Sequence, residues 1–166
     1  MQLTKLNIVF IVLTLMVSSS PIWALSSDKQ KPIEVEADSF NLDDAKKITA
    51  YSGNVIMTQG SMEIMADNVT IYGARGTTDK IIAIGKPVKF KQQPDDNQGL
   101  IRGEAKRFEY LVSKNTLTLI NRATLWQSGN TFSSDRITYD SNRSIVKAGD
   151  KESGSKRVKI TLQPAK

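Results

Sequence analysis

The chain has 166 residues, with 23 Lys and Arg against 17 Asp and Glu, a net charge of +6, and no cysteine or histidine. It therefore forms no disulfide, and it lacks the commonest general base and the commonest metal ligand. The positive excess is modest, and the sequence lacks the aromatic residues interleaved with Arg clusters that single-stranded nucleic acids require, so no nucleic-acid partner is predicted.

The first 24 residues have the composition of a secretory signal peptide. Lys5 supplies a positive start, residues 8–17 are a predominantly apolar run, and Ala24 offers a small residue for cleavage. The run is too short to span a bilayer core, which needs ~20 apolar residues. We therefore predict export to the periplasm, a mature chain without a transmembrane segment, and a mobile N-terminus at 25–31. An uncleaved anchor or a buried strand is the alternative for residues 1–24.

Residues 32–164 alternate apolar and polar side chains with a period of two, as β-strands do. Turn residues at short intervals divide this segment into about sixteen strands of about four to six residues, in two halves of about eight. So many strands do not form one flat sheet. We predict a single all-β domain at 32–164, an elongated twisted β-jelly-roll of short antiparallel strands. A closed barrel is less favoured, because the strands are too short and too polar outside.

An internal repeat relates the two halves. One element, a small residue followed by a polar one and then alternating apolar positions, occurs four times. The four copies begin at Ala37, Ala66, Ala105 and Ser134. The turn Gly53-Asn54 in the first half corresponds to Asn121-Arg122 in the second. Such a repeat indicates stacked units, each unable to bury its apolar face alone, and it excludes most enzyme folds.

No catalytic constellation is present in the sequence. No serine lies in a Gly-x-Ser-x-Gly motif, and the paired carboxylates Asp43-Asp44 and Asp95-Asp96 are typical of turns. We predict no enzymatic activity, no cofactor and no metal. What remains is the interior apolar stripe, which includes Phe40 and Phe90. It is either a filled sandwich core or a trough that holds acyl chains, and periodicity does not separate the two.

Several short motifs resemble the LptA family of OstA-like proteins, the periplasmic bridges of the lipopolysaccharide export system. The motifs occupy residues 31–38, 53–60, 66–69, 85–87 and 156–158, so the resemblance covers nearly all of 31–164. The chain departs from the family at Asn121-Arg122, where the family usually has Gly-Asn. Asn tolerates the left-handed conformation of this turn, so the departure is compatible with the match.

The resemblance implies a sixteen-stranded jelly-roll with a hydrophobic groove that binds the lipid A acyl chains of lipopolysaccharide. It also implies that the protein joins inner-membrane and outer-membrane Lpt components, which carry related domains, in head-to-tail assembly. The family's lipid-lining positions map onto Ile33, Val35, Lys80, Phe90 and Tyr110. Phe40 of the interior stripe completes the predicted lipid-binding set.

Both ends of the domain suit pairing with a partner strand. The predicted interface residues are Ile33, Val35, Ala37, Val158, Ile160 and Leu162. The last strand has basic residues at 156–159 and the first strand is acidic. Pairing the last strand of one copy with the first strand of the next would therefore also pair charges in a head-to-tail homo-oligomer. The primary hypothesis is thus a bridge that conducts lipid. The alternatives are a soluble periplasmic chaperone that carries one lipid at a time, and a structural β-solenoid with a filled core.

Overall fold

A computed structural model describes residues 28–74, 76–94, 99–149 and 157–164. The predicted signal peptide at 1–24 lies outside the described residues. Within the predicted mobile segment 25–31, residues 28–30 form a short 3-10 helix. Among the described residues, no helix is both long and apolar enough to cross a membrane.

The described chain is all-β apart from two short 3-10 helices, Asp28–Gln30 and Val112–Lys114. The ten strands are β1 (Glu34–Glu36), β2 (Ser39–Asp43), β3 (Ile48–Gln59), β4 (Met62–Tyr72), β5 (Lys80–Gln92), β6 (Ile101–Leu111), β7 (Thr116–Gln127), β8 (Asn130–Asp140), β9 (Ile145–Ala148) and β10 (Lys159–Thr161). All ten belong to one antiparallel sheet, which confirms the all-β prediction.

The strands follow each other as a meander from β3 to β8. Both edges of this meander are covered by two short strands lying end to end. β1 pairs with residues 56–58 of β3, and β2 pairs with residues 48–52 of the same strand. β9 pairs with residues 137–140 of β8, and β10 pairs with residues 131–133. No pairing between described residues joins the first edge to the last, so the sheet is not closed.

The strand count differs from the sequence-based expectation of about sixteen. The central strands are 11 to 13 residues long rather than four to six. Five of the strand pairs carry a register shift near mid-length, for example between Ser52 and Val55 of β3. Residues such as Gly53 and Gly85, which the sequence suggests are turns between strands, lie at these irregularities instead, and the strand continues past them.

The mid-length irregularities bend the sheet so that its two halves face each other. Phe90 of β5 pairs with Gly103 of β6. Phe108 lies five residues beyond Gly103 in β6, a distance of about 17 Å if the strand were straight. Yet the ring centroids of Phe90 and Phe108 are only 5.5 Å apart. Apart from Val55 and Val88, the buried residues at the bend are small: Ala66, Gly85, Ala105, Ala123 and Ser134. Small side chains there leave room for the two halves to approach.

Candidate functional site

The inner face of the bent sheet is covered by three rows of mostly apolar side chains, each of which crosses eight of the ten strands. Row A is Leu42, Thr49, Ile71, Ile81, Tyr110, Leu117, Tyr139 and Val146. Row B is Phe40, Tyr51, Val69, Ala83, Phe108, Leu119, Ile137 and Ala148. Row C, in the other half of the sheet, is Val35, Met57, Ile64, Phe90, Gly103, Leu125, Phe132 and Ile160. Each row is continuous from the first edge to the last.

The centre of this interior is filled by direct packing between the two halves. Phe90 of row C packs on Phe108 of row B, and both are nearly inaccessible. Gly103 of row C leaves space for Leu119 of row B, because a Cβ on Gly103 would lie 2.9 Å from the Leu119 Cδ1. At β5 to β7 the interior is therefore a packed core.

At the first edge the interior opens into a cavity of about 790 Å³. Its walls are mainly apolar and come from the N-terminal segment, the β2–β3 and β4–β5 connections and the end of β6. The apolar lining includes Ile33, Leu42, Ile71, Ile81 and Tyr110. Lys31, Asp44 and Lys47 also line it and supply both signs of charge. The cavity thus joins the core to a charged opening.

Tyr110 carries a polar group in this cavity wall. Its hydroxyl donates to the Asn115 Oδ1 across 3.3 Å, while the ring packs against the core. Burial raises the pKa of Tyr110, and the negative charge of Asp28 raises it further. The phenol is therefore neutral and a donor at ordinary pH.

Apolar side chains are exposed at both sheet edges, where rows A and B begin at the first edge and row C ends at the last. At the first edge Phe40 is 70% exposed and Leu42 is 50% exposed. At the last edge Val158, Ile160 and Leu162 are also exposed, Leu162 by 68%. Since Phe40 stacks on the inner-face ring of Tyr51 and Ile160 pairs with Phe132, these side chains continue the interior and do not belong to the outer surface. The apolar interior is therefore uncovered at its two ends.

The structure brings five of the six predicted lipid-binding residues to this interior. Ile33 and Tyr110 line the cavity, Val35 and Phe40 begin rows C and B, and Phe90 lies in the packed centre. Lys80 is separate: it neighbours the buried Ile81 in β5 and so points to the opposite face of the sheet. There its Nζ lies 4.4 Å from the centre of the Tyr72 ring. The lipid-binding role of all six stays a prediction.

The predicted interface residues lie at the two edges. Val35 is in β1 and Ile160 is in β10, while Ile33, Ala37, Val158 and Leu162 flank these strands. Sequence reasoning missed Ile81, a fully buried member of row A and of the cavity wall. The run Ile81-Ile82-Ala83-Ile84 is apolar throughout, so it has no period-two signal. Only its pairing with the alternating strand β6 assigns Ile81 to the inner face.

Comparison with known proteins gives consistent matches along the chain. Residues 34–145 match the family described as LptA/(LptD N-terminal domain) LPS transport protein. The lipopolysaccharide export system protein LptH of Pseudomonas aeruginosa is 35% identical over 161 residues, covering 93% of this chain and 91% of the relative. The lipopolysaccharide export system protein LptA of Haemophilus influenzae is 33% identical over 168 residues, covering 99% and 95%.

A solved structure is similar as well. The crystal structure of LptH from Pseudomonas aeruginosa, described as the LptA-homologous periplasmic component of the conserved lipopolysaccharide transport device, superposes with a TM-score of 0.76. It is 33% identical in sequence, and the match covers 84% of this chain and all of that one. The agreement extends to the fold as well as to the sequence.

Proposed function

The chain belongs to the family of LptA/(LptD N-terminal domain) lipopolysaccharide transport proteins, which confirms the resemblance in its sequence, and we propose that it is a periplasmic bridge that binds lipopolysaccharide and conducts it from the inner to the outer membrane. Export through cleavage after Ala24 is part of this proposal. So are a twisted jelly-roll architecture and the absence of enzymatic activity.

The observation that carries the proposal is that the apolar rows have exposed side chains at both edges of an unclosed sheet, rows A and B at the first edge and row C at the last. A domain whose only purpose is a filled core would cover these ends, because a large exposed apolar patch favours non-specific association. Here Phe40, Leu42, Ile160 and Leu162 remain uncovered. Such ends suit an amphiphile that enters and leaves the interior.

In this proposal the acyl chains of lipid A occupy the cavity at the first edge and extend along the rows. Ile33, Leu42 and Tyr110 supply apolar contact there, and Val35, Phe40 and Phe90 continue it. Burying an acyl chain of about a dozen carbons contributes roughly 10 kcal/mol, at ~0.8 kcal/mol per CH₂. The charged residues Lys31 and Lys47 at the opening suit phosphates on the polar head of the lipid.

Head-to-tail assembly would extend the rows from one copy to the next. Row C runs from Val35 to Ile160 and row B from Phe40 to Ala148, so stacking the last edge on the first would continue both rows. The charges agree, because exposed Glu34 and Glu36 lie on β1, whereas Arg157 and Lys159 lie at β10. We propose the same edges for the inner-membrane and outer-membrane Lpt partners. Strand addition of this kind uses free backbone groups as well as side chains.

Photocrosslinking in living cells tests the proposed lipid site. A photoreactive phenylalanine analogue at Phe40 or Leu42 faces the interior and should crosslink to lipopolysaccharide. The matched control is Met65, which is 41% exposed but alternates with the buried Ile64 and so lies on the outer face. Crosslinking at Met65 as strong as at Leu42, or none at either inner position, would contradict an interior lipid site.

A further inference from the structure

The outer side of the bend carries a cluster of three basic residues. Lys86, Lys106 and Arg122 lie at the mid-length irregularities of the adjacent strands β5, β6 and β7. All three side chains are exposed, although each has a buried small residue as its neighbour in sequence: Gly85, Ala105 and Ala123. The bend therefore turns small residues inward and long cations outward. Since neighbouring strands lie about 4.8 Å apart, the three cations can converge on one group.

These cations surround a concave site. A surface cavity of about 720 Å³ is lined by all three, with Ile84, Gly85 and Pro87 among its apolar walls. Asp67 is its one acidic lining residue among those described, so the lining has an excess of positive charge. A second hollow of about 330 Å³ is lined by Lys106 and Arg122 together with Asn121 and the acidic Asp135. Within the described part of the chain, none of the three cations forms an ion pair or a hydrogen bond.

The backbone at Arg122 singles this residue out. Asn121 and Arg122 have φ of 65° and 58°, a left-handed conformation that glycine and asparagine adopt far more readily than arginine. The equivalent irregularity of the first half, Gly53-Asn54 in β3, has the same conformation, with φ of 81° and 46°. There Asn54 donates a side-chain hydrogen bond to the Asp38 Oδ2 across 2.9 Å. Among the described residues Arg122 forms no such hydrogen bond, although it lines two surface hollows together with Asp135. The left-handed backbone itself does not favour arginine at this position.

We propose that Lys86, Lys106 and Arg122 form a binding site for a phosphate group on the outer side of the bend. A guanidinium and two ammonium groups match the charge and the acceptor oxygens of a phosphate monoester. The phosphate is either free or carried on a saccharide headgroup. The apolar walls from Ile84 and Pro87 favour the headgroup, because a sugar ring gains contact with them and free phosphate does not. The site is separate from the interior, so it does not depend on the proposed binding of acyl chains.

Amide chemical shifts of the mature chain, recorded by NMR during titration, test this site. The three probes are inorganic phosphate, the deacylated phosphorylated lipid A disaccharide, and the same disaccharide without phosphate. We expect saturable shifts at Gly85, Lys106 and Ala123 with the phosphorylated disaccharide and none with the dephosphorylated one. Saturation by inorganic phosphate at similar concentrations would identify phosphate alone as the ligand. Saturation by the phosphorylated disaccharide but not by inorganic phosphate would identify the phosphorylated headgroup as the ligand.

Variants separate this site from general charge effects. K86Q, K106Q and R122N should each weaken binding about threefold at low salt, and the triple variant should abolish saturation. R122N should also fold at least as well as the original chain, since asparagine suits the left-handed turn. The control K89Q/K114Q/K147Q removes the same charge elsewhere and should bind normally. Asp67→Asn should bind more tightly, because it removes the acidic lining residue.

Three results would overturn the proposal. One is an absence of saturable shifts with both phosphorylated probes. Another is binding by the K86Q/K106Q/R122N variant that equals that of the original chain. The last is an equal loss of binding in K89Q/K114Q/K147Q, which would show that the net charge of the protein alone accounts for the effect. None of these results bears on uptake of lipid into the interior, which the crosslinks at Phe40 and Leu42 report separately.

Discussion

Asp28 holds the N-terminal segment against the end of the sheet. Its Oδ1 accepts the Ser61 backbone N–H across 2.8 Å, and its Oδ2 accepts the Ser61 hydroxyl at 2.6 Å and the Gln92 side-chain amide at 2.9 Å. Partial burial alone would raise the pKa of Asp28, but these hydrogen bonds, helped by Lys31, lower it overall. The contacts fix the approach of Lys31 and Ile33 to the cavity wall. Asp28 is therefore a positioning residue for the first edge.

We expect Asp28→Ala to lower the free energy of unfolding by about 1–2 kcal/mol, because three hydrogen bonds to a half-exposed carboxylate are lost. The pKa of Asp28 is depressed in the folded chain, so its contribution is present above the unfolded value of 3.8 and is lost as pH falls through the folded pKa. Urea unfolding of Asp28→Asn at pH 7 and near pH 3 should show a smaller pH dependence than the original chain. Glu34→Gln, on exposed β1, is the matched control. Identical pH profiles for Asp28→Asn and the original chain would contradict this role.

Local conformation could be predicted from the sequence where it depends on neighbouring residues. The repeat pairs Gly53-Asn54 with Asn121-Arg122, and both segments have the same left-handed backbone. The Asp28 contacts could not be predicted, because Ser61 and Gln92 lie 33 and 64 residues away. Likewise, the convergence of Lys86, Lys106 and Arg122 depends on the register of three strands. No local pattern specifies such distant neighbours.

At the scale of elements, the period of two predicted the strands and their inner face. Phe40, Phe90 and Tyr110 lie on that face, as the alternation indicates. The number and length of the strands could not be predicted, because Gly53, Gly85 and Asn121-Arg122 are typical of turns as well as of bends within a strand. Pairing on both sides of each irregularity keeps the strand continuous. Pairing with the neighbouring strands, and not the local sequence, therefore determines whether the chain turns or the strand continues.

The packing between the two halves of the sheet gives a prediction at Gly103. Its φ is not in the left-handed region, so the cost of a side chain there is steric. Gly103→Val would place methyl groups against Leu119 and Phe90 and should lower the free energy of unfolding by about 1–3 kcal/mol. Chemical denaturation measures this loss. Leu119→Ala is itself destabilising, but the loss caused by Gly103→Val should be smaller in a Leu119→Ala background, because the two residues share the same space.

Two results would revise this picture of the centre. An unchanged unfolding midpoint for Gly103→Val would mean that the halves separate without cost at β5 to β7. If Gly103→Val lowered the free energy of unfolding equally with and without Leu119→Ala, the strain would lie elsewhere. The first result would bear directly on the proposed conduction, since lipid that passed the centre would have to displace the contact between Phe90 and Phe108.

At the scale of the whole molecule, the last edge of the sheet is held by few contacts. β10 pairs with β8 through three residues, all of them exposed, and Gln163 adds one hydrogen bond from its backbone N–H to the Asn130 Oδ1 at 3.0 Å. The exposed Val158, Ile160 and Leu162 contribute little to the buried core. We therefore expect the C-terminal segment to be dispensable for folding. The sequence predicted both open edges, because each has alternating residues without an internal proline.

Removing residues 156–166 should therefore leave a folded monomer that binds lipopolysaccharide but forms no chains and does not support export. An edge contact of this kind does not close on itself, so the full-length chain should form oligomers that grow with concentration. Light scattering over a concentration series measures the difference, and circular dichroism verifies the fold.

Lys159→Glu keeps the strand but places a negative charge opposite Glu34 and Glu36, so its oligomers should be weaker and recover at high salt. A truncated chain with unchanged oligomers would remove the last edge from the assembly. A full-length chain that binds lipid yet stays monomeric at every concentration would favour a carrier of single lipids over a bridge, because gaps between units would expose acyl chains at ~0.8 kcal/mol per CH₂.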